Sequence, residues 1–418
     1  MAPILGQAAP AHPRSGSKED PLSCQYPTMS QRSLGRPIRT LVYADSQGYS
    51  GAESFFCEVV GDLAADGQFD LVLAAPPANR ELSANLEAAA RRKIDYPVPA
   101  QPPFLAGLML PLSAQRAGRA LEGVEADVAL INLPSAEYGS SPLLSRELSD
   151  LPSVGLLHID HSLRDVGFRL GRLRGIGAGV ALRRLDHVAV LSEEAEGRAR
   201  EAWALKATAI SRVRMPKPSL ARVPQTQARR ELGLELTSRL IGIAGRLSFK
   251  QKGQDTFVDA ASILIDRVPD IRFVVAGEGP DRDRLVRMVS QAGLGERFQL
   301  LGQVDDIGSF LSAIDVIAIP SRFEGLPLIA LEALQVGVPG VASGVDGLCD
   351  VWPPEWTIPA SEPDLLARSL EAILHEDSSR VAELIKEGRV LARERETRHP
   401  GEDVAALLSR VVRGSAEC

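Results

Sequence analysis

The sequence predicts an α/β fold built from two doubly wound parallel sheets, one after the other. Three observations point there. The chain of 418 residues is too long for one ordinary core and suits two domains of roughly 150–200 residues each. From Ile38 onward short apolar runs alternate with amphipathic stretches, the pattern of βαβ units. That plan runs twice, on either side of a proline-bearing stretch from Arg212 to Gln225.

Residues 1–36 are rich in Pro, Ser, Ala and Gly, show no hydrophobic period, and read as a disordered tail. Met29 stands just before the ordered part, where an alternative start would fall. Residues 37–213 form the first expected domain, with strands at Arg39–Tyr43, Asp70–Ala74, Val128–Ile131, Val154–His158 and His187–Leu191. Residues 214–225 are the expected linker. Pro216, Pro218 and Pro224 fix φ and remove donors there, which excludes a sheet interior. Residues 226–399 form the second expected domain, with strands at Leu240–Ala244, Arg272–Ala276, Phe298–Leu301, Val316–Ile319 and Val338–Ala342. Gly293 is placed to stop the helix Asp283–Ala292. A last amphipathic helix over 400–415 is free to pack back on the first domain. Doubly wound sheets bind ligands beyond the carboxyl ends of their strands, so the expected site is a cleft between two such edges.

Composition narrows the function classes. The charged fraction of 24% and apolar fraction of 44% are those of an ordinary soluble protein. A net charge of -7 argues against a general nucleic-acid footprint, and aromatics at 5% argue against base-stacking surfaces. Cys24, Cys57, Cys349 and Cys418 lack metal or redox spacing. No apolar run approaches the roughly 18 residues of a membrane span, and no secretory signal is visible. A reducing cytoplasm, with peripheral contact at the inner membrane face left open, is the expected compartment.

Two segments of the second half carry chemistry. Gly245-Arg246-Leu247-Ser248-Phe249-Lys250-Gln251-Lys252-Gly253-Gln254-Asp255 follows a strand and opens a helix. Two fixed cations, Arg246 and Lys252, beside a helix N-terminus suit a diphosphate, although a solvated basic loop has the same composition. Pro320-Ser321-Arg322-Phe323-Glu324-Gly325-Leu326-Pro327-Leu328-Ile329-Ala330-Leu331-Glu332-Ala333 also follows a strand. Glu324 in its loop can accept bonds from sugar hydroxyls. Glu332, expected two turns into the helix, can hold a ribose diol, although a surface Glu is the plainer reading. Leu328, Leu331 and Leu334 are expected to face the core.

Taken in order, these segments resemble glycosyltransferase family 4, whose nucleotide-sugar half has Gly-Arg-Leu, then Lys-Gly, then two Glu separated by seven residues. The matching positions are Gly245, Arg246, Leu247, Lys252, Gly253, Asp255, Glu324, Gly325, Glu332 and Ala333, with Ala276-Gly277-Glu278-Gly279-Pro280 similar to the family's Gly-x-Gly-Pro turn. The resemblance implies the GT-B architecture, two Rossmann-like domains facing across a cleft, and a retaining transfer from a UDP- or GDP-sugar to a hydroxyl, without a metal or other cofactor. It implies that Arg246 and Lys252 bind the donor diphosphate, Glu324 the transferred sugar and Glu332 the ribose, with backbone near Gly325 and Leu326 facing sugar and phosphate and Val304 near the base. In the first half, Ser50-Gly51-Ala52-Glu53 looks like the family's Gly-Gly-Ala-Glu loop, placing Gly51 against the donor phosphate, with Ser50 replacing the first Gly. His158 resembles a family His near the transferred sugar; a hydrogen-bonded structural His is its alternative. Two stretches depart from the pattern: Arg214-Met215-Pro216-Lys217-Pro218, where a Pro-Asn-Gly motif is common, and Ser343-Gly344-Val345-Asp346-Gly347-Leu348, a loose match to a Gly-rich donor segment.

Other readings carry less. His158-Ile159-Asp160-His161 suggests a metal site, but on a strand His161 leaves the face that His158 and Asp160 share. Asp281-Arg282-Asp283 is read as a helix cap. Gly277-x-Gly279 lacks a third glycine for a dinucleotide loop. A sugar-nucleotide epimerase and a non-catalytic nucleotide-sugar binder remain rival functions. The acceptor, whether small molecule, glycan or lipid-linked, and the oligomeric state leave no motif. The basic run Arg164, Arg169, Arg172 and Arg174 suits an anionic acceptor, a membrane surface or plain solvation.

Overall fold

The computed structural model describes residues 36–100, 110–159, 161, 171–206, 209–325 and 327–416. The tail 1–35, Asp160, the basic residues Arg164 and Arg169, and Leu326 lie outside the described residues.

The first sheet holds β1 (Ile38–Tyr43), β2 (Phe69–Ala75), β3 (Tyr96–Pro97), β4 (Val128–Ser135), β5 (Ser153–Ile159), β6 (His187–Val190) and β7 (Ile210–Arg212), in the order β3-β2-β1-β4-β5-β6-β7. Every pairing is parallel. A short strand, β8 (Met215–Pro216), then leads into the second sheet: β9 (Arg239–Ala244), β10 (Ile271–Ala276), β11 (Phe298–Gly302), β12 (Val316–Ile319), β13 (Gly340–Ser343) and β14 (Thr357–Ile358), ordered β11-β10-β9-β12-β13-β14. It too is parallel throughout. Each half therefore reverses its strand order once, between β1 and β4 and between β9 and β12. At these switch points the loops diverge to opposite faces and open a crevice.

Parallel strands covered on both faces read as near-continuous apolar runs. Leu41, Val42 and Tyr43 of β1 and Phe273, Val274 and Val275 of β10 are accordingly buried. One apolar layer of the first sheet packs Phe55, Val59 and Leu63 of the helix Gly51–Ala65 with Val404, Leu407 and Leu408 of the last helix, Gly401–Ala416. The other gathers Leu121, Ala178 and Leu182. The second sheet has one continuous core around Phe257, Phe273, Phe310 and Leu334.

Every strand expected from the sequence is present, and those missed, such as β3, β7 and β14, are two or three residues long. Three local expectations need correction. Part of the proline stretch is a strand, because β8 pairs with β15 (Glu396–Thr397) through Met215 N–H to Arg395 O (2.7 Å) and Lys217 N–H to Thr397 O (2.8 Å). Pro216 lies between these donors, so its missing N–H costs nothing. Asp281 is not a side-chain cap: its Oδ2 accepts the Phe249 amide at 2.8 Å, tying the next loop to the basic segment. Leu328 is only half-buried and points across at Gly51 rather than into the core. The helix Arg282–Gln291 does end before Gly293, which takes a left-handed φ of 70°.

Candidate functional site

The two switch points face each other, and the candidate site lies where they meet. On the second half, β9 runs out at Ala244 and the chain turns through Arg246 into the short helix Phe249–Lys252. Gly253 then adopts a φ of 65°, and a side chain there would come within 2.1 Å of Pro320 O. Only glycine allows the basic segment to lie against the loop after β12. Arg322 fastens the same two loops. Its guanidinium grips Asp255 in a bidentate pair (2.8 and 3.0 Å) and reaches Phe249 O, and its amide donates to Gln251 O at 2.7 Å.

This clamp brings Lys252 and Glu324 together. Lys252 Nζ lies 2.6 Å from Glu324 Oε1, although 72 residues separate them. Glu324 is 2% exposed, and Ser321 Oγ donates to the same oxygen at 2.5 Å. Both bonds fall on Oε1, which leaves Oε2 for another donor. Lys252, Ser321, Glu324 and Ile329 line a small hollow between β9 and β12 with Ile243 and Ala318. Arg246 is exposed and is not among the residues that line the hollow; its carbonyl accepts from Gln254 Nε2 (2.9 Å).

Glu332 is the fifth residue of the helix Leu328–Val336, one turn in rather than two. It is half-buried, and burial, followed by the negative charge of Glu58 on the first half, raises its carboxyl to about 7. Val304 is half-buried against the second core. Among the described residues no bond brings it to the other candidates, and Leu326 lies outside them.

The first half contributes a different chemistry. Ser50 has an extended φ of -151°, so a side chain is accommodated at the loop, and its Oγ donates to Glu53 at 2.6 Å. Gly51 is exposed and looks at Leu328 Cδ1. His158 is buried at the end of β5, with Nε2 2.9 Å from Asn132 Oδ1, while its Nδ1 and Asn132 Nδ2 have no partner among the described residues. Burial lowers the imidazole to about 3, so His158 is neutral. Asp45, after β1, is buried and takes the Tyr43 hydroxyl at 3.1 Å; burial raises it to about 7 against the bonds from Tyr43 and Ser141.

The halves touch closely. A side chain at Gly325 would lie 1.7 Å from His158 O. Asp346, at the start of the loop beyond β13, accepts His161 Nε2 (2.9 Å) and Arg198 Nη2 (2.6 Å) from the first half and the Glu324 amide (2.6 Å) from its own. Sequence reading missed Asp346, Arg198 and Asn132 as site residues. Asp346 stood inside the loose Gly-rich match, but partners 148 and 185 residues away leave no local pattern. His161, weighed for a metal, has Asp346 as its partner instead. Among the described residues no group of three or more His, Cys, Asp or Glu is placed to hold a metal ion, and no helix is long and apolar enough to cross a membrane.

Comparison with known proteins fits this geometry. Residues 224–390 match the family model of glycosyl transferases group 1. Over 151 residues, 35% of the chain, it is 36% identical to the 2-deoxystreptamine glucosyltransferase of Streptomyces kanamyceticus. Over 132 residues, 30% of the chain, it is 36% identical to the lipopolysaccharide core biosynthesis mannosyltransferase LpsB of Rhizobium meliloti. The matches span only 38% and 37% of those relatives' lengths. Among solved structures, Anabaena Alr3699/HepE in complex with UDP-glucose superposes with a TM-score of 0.73 at 19% identity, covering 89% of this chain and 100% of that one. Sucrose-phosphate synthase from Thermosynechococcus elongatus gives 0.71 at 20% identity, covering 91% and 100%. The chain thus has the GT-B fold of two Rossmann-like domains facing across a cleft, and over residues 224–390 it is similar to the group 1 glycosyl transferases.

Proposed function

We propose that this protein is a glycosyltransferase that moves a sugar from a nucleotide-diphosphate sugar, with UDP or GDP as carrier, to a hydroxyl acceptor. The observation that carries the reading is the meeting of Lys252 and Glu324 at 2.6 Å beside the β9–β12 switch point. A cation for a leaving phosphate and a carboxylate for sugar hydroxyls stand side by side there. In this reading residues 226–399 hold the donor and residues 37–213 present the acceptor, with 214–225 between them.

The chemistry follows from charge. Departure of the nucleoside diphosphate builds negative charge on phosphate and positive charge on the sugar. Arg246 and Lys252 stabilise the first; pre-placed donors of this kind are worth about 2.7–4 kcal/mol each. Glu324 Oε2 accepts from the sugar, and Glu332 from the ribose. Gly51 and Gly325 offer backbone, and Val304 lies on the base side. His158, neutral and with Nδ1 unbonded, accepts a sugar hydroxyl. No step in this scheme calls for a metal. A double displacement needs a carboxylate across the sugar as nucleophile, as in retaining glycosidases. Among the described first-half residues the groups nearest the second-half turn include His158 and its partner Asn132; we favour front-face attack with retention, the departing phosphate taking the acceptor proton.

The test is a thermal-shift panel of UDP, GDP, ADP and their glucose, galactose and mannose conjugates, followed by release of nucleoside diphosphate with a panel of hydroxyl acceptors. A ligand specific to the folded state raises the melting temperature. Stabilisation by one nucleotide family and acceptor-dependent release are expected. No stabilisation by any of them would sink the reading, release without an acceptor product would favour an epimerase or hydrolase, and binding without turnover would favour a sensor.

A further inference from the structure

We infer that Asp346 is a positioning residue that couples the meeting of the two halves to the placement of Glu324. The inference deepens the transferase reading and rests on it for the catalytic consequence, but not for the coupling itself.

A carboxylate that is 3% exposed must be met by donors. Asp346 is met by donors from both halves. Its Oδ1 takes Arg198 Nη2, from the helix Glu193–Ala202, and its carboxylate takes His161 Nε2, just past β5. Its Oδ2 takes the Glu324 amide at 2.6 Å. One side chain thereby ties two groups of the first half to the backbone of the residue facing Lys252. Asp346 holds a left-handed φ of 49°, a conformation that costs a non-glycine residue energy and that Asp tolerates better than most. Burial raises its carboxyl, but the bonds from His161 and the Glu324 amide and the charges of His161 and Arg198 outweigh burial and hold it below the ordinary value.

The same turn is pressed from the first half at two more points. The His161 ring packs on Phe323 at 5.4 Å between centroids, and Gly325 lies directly on His158 O. Separation of the halves would strip Asp346 of Arg198 and His161 together and leave the Glu324 amide on a carboxylate open to water. The turn would keep the Arg322 clamp but lose its ties to the first half. With the halves together, Glu324 is oriented and Lys252 is held against it. Such an arrangement adds first-half ties to a carboxylate already clamped within the second half, and holds it most firmly in the closed enzyme, where water is excluded.

The test compares the parent with Asp346→Asn, Arg198→Ala, Arg198→Lys and the double variant Asp346→Asn/Arg198→Ala. Amide hydrogen exchange of the peptide carrying Glu324 is measured without ligand, and UDP binding and UDP-glucose turnover are measured alongside. Exchange at Glu324 should accelerate at least about fivefold in Asp346→Asn and Arg198→Ala, and the double variant should be no faster than Asp346→Asn alone, as for two members of one unit. Turnover should fall about tenfold, with KM for UDP-glucose changed less than threefold and UDP affinity unchanged, and Arg198→Lys should recover part of it. Unchanged exchange, additive effects in the double variant, or a loss of UDP affinity as large as the loss of turnover would overturn the proposal. If Asp346→Asn does not fold, the two Arg198 variants decide it by the same readouts. If the parent binds no nucleotide, the transferase reading fails while exchange still decides the coupling.

Discussion

The two sheet edges that meet at the site share one strand order and differ in charge. At the second-half edge Lys252, Glu324, Arg322, Asp255 and Asp346 are ionic groups in contact with one another or with opposite charges. At the first-half edge burial removes charge instead: His158 is lowered to about 3, and Asp45 is raised to about 7. Asn132, their neighbour in β4, is neutral by nature. Burial disfavours an ion only when no partner compensates it. The second edge pairs opposite charges at Lys252–Glu324 and Arg322–Asp255, while burial raises Glu332 on the same half to about 7. Around His158 the first edge supplies amide, imidazole and hydroxyl groups, which suit hydroxyl-bearing molecules, while Arg198 reaches across to Asp346. The fold decides where ligands meet, and the residues grafted on each edge decide what meets there.

The contrast is broken most severely at Lys252. Lys252→Ala strips the partner from a carboxylate that is 2% exposed. Removing one member of a buried pair costs about 3–5 kcal/mol, and losing a phosphate donor costs about 10²–10³ in turnover. Arg246→Ala should match that catalytic loss while leaving stability within about 0.5 kcal/mol, because Arg246 is exposed. Urea midpoints and nucleotide-release rates on the two variants separate the effects. Equal stability losses, or full activity in Arg246→Ala, would refute the division of labour between them.

The fold was legible in the sequence because its signal is local. Apolar runs such as Val316–Ile319 and turn glycines such as Gly293 declare themselves within a few residues. Lys252 and Glu324 were legible for another reason: each sits in a motif whose residue order is constrained by its own loop. Asp346 and Arg198 were not, since their meaning lies in a contact 148 residues long. Arg322 and Asp255 stood inside the motifs, but their bidentate pairing follows from the approach of two loops after folding. The strand β8 was hidden because its pattern is two residues with a proline, and its partner lies beyond the second sheet.

The uncharged edge is sharpened by pH. Asp45 is raised from 3.8 to about 7. Between those values the folded state holds a proton that the unfolded chain has released. Its stabilising contribution is therefore complete below pH 3.8 and is lost as pH rises towards about 7. Asp45→Asn carries no such titration. Relative to the parent, its stability should rise by about 1.4 kcal/mol per pH unit across the middle of that window. Urea denaturation at a series of pH values measures this, and parallel curves for parent and variant would show that Asp45 is not held protonated.

The smallest effect is expected at Ser50, where the sequence departs from a paired glycine. Its φ of -151° is extended backbone, so glycine would gain no conformational access. No left-handed turn is needed, and the approach to the opposite half is made by Gly51, which faces Leu328. What Ser50→Gly removes is the 2.6 Å bond from Oγ to Glu53, worth about 0.5–1.5 kcal/mol. Turnover should stay within about threefold of the parent, with a correspondingly small drop in urea midpoint. A large gain in turnover would mean that the Ser50 side chain obstructs the donor, and that the first-half edge approaches the phosphate more closely than Gly51 alone allows.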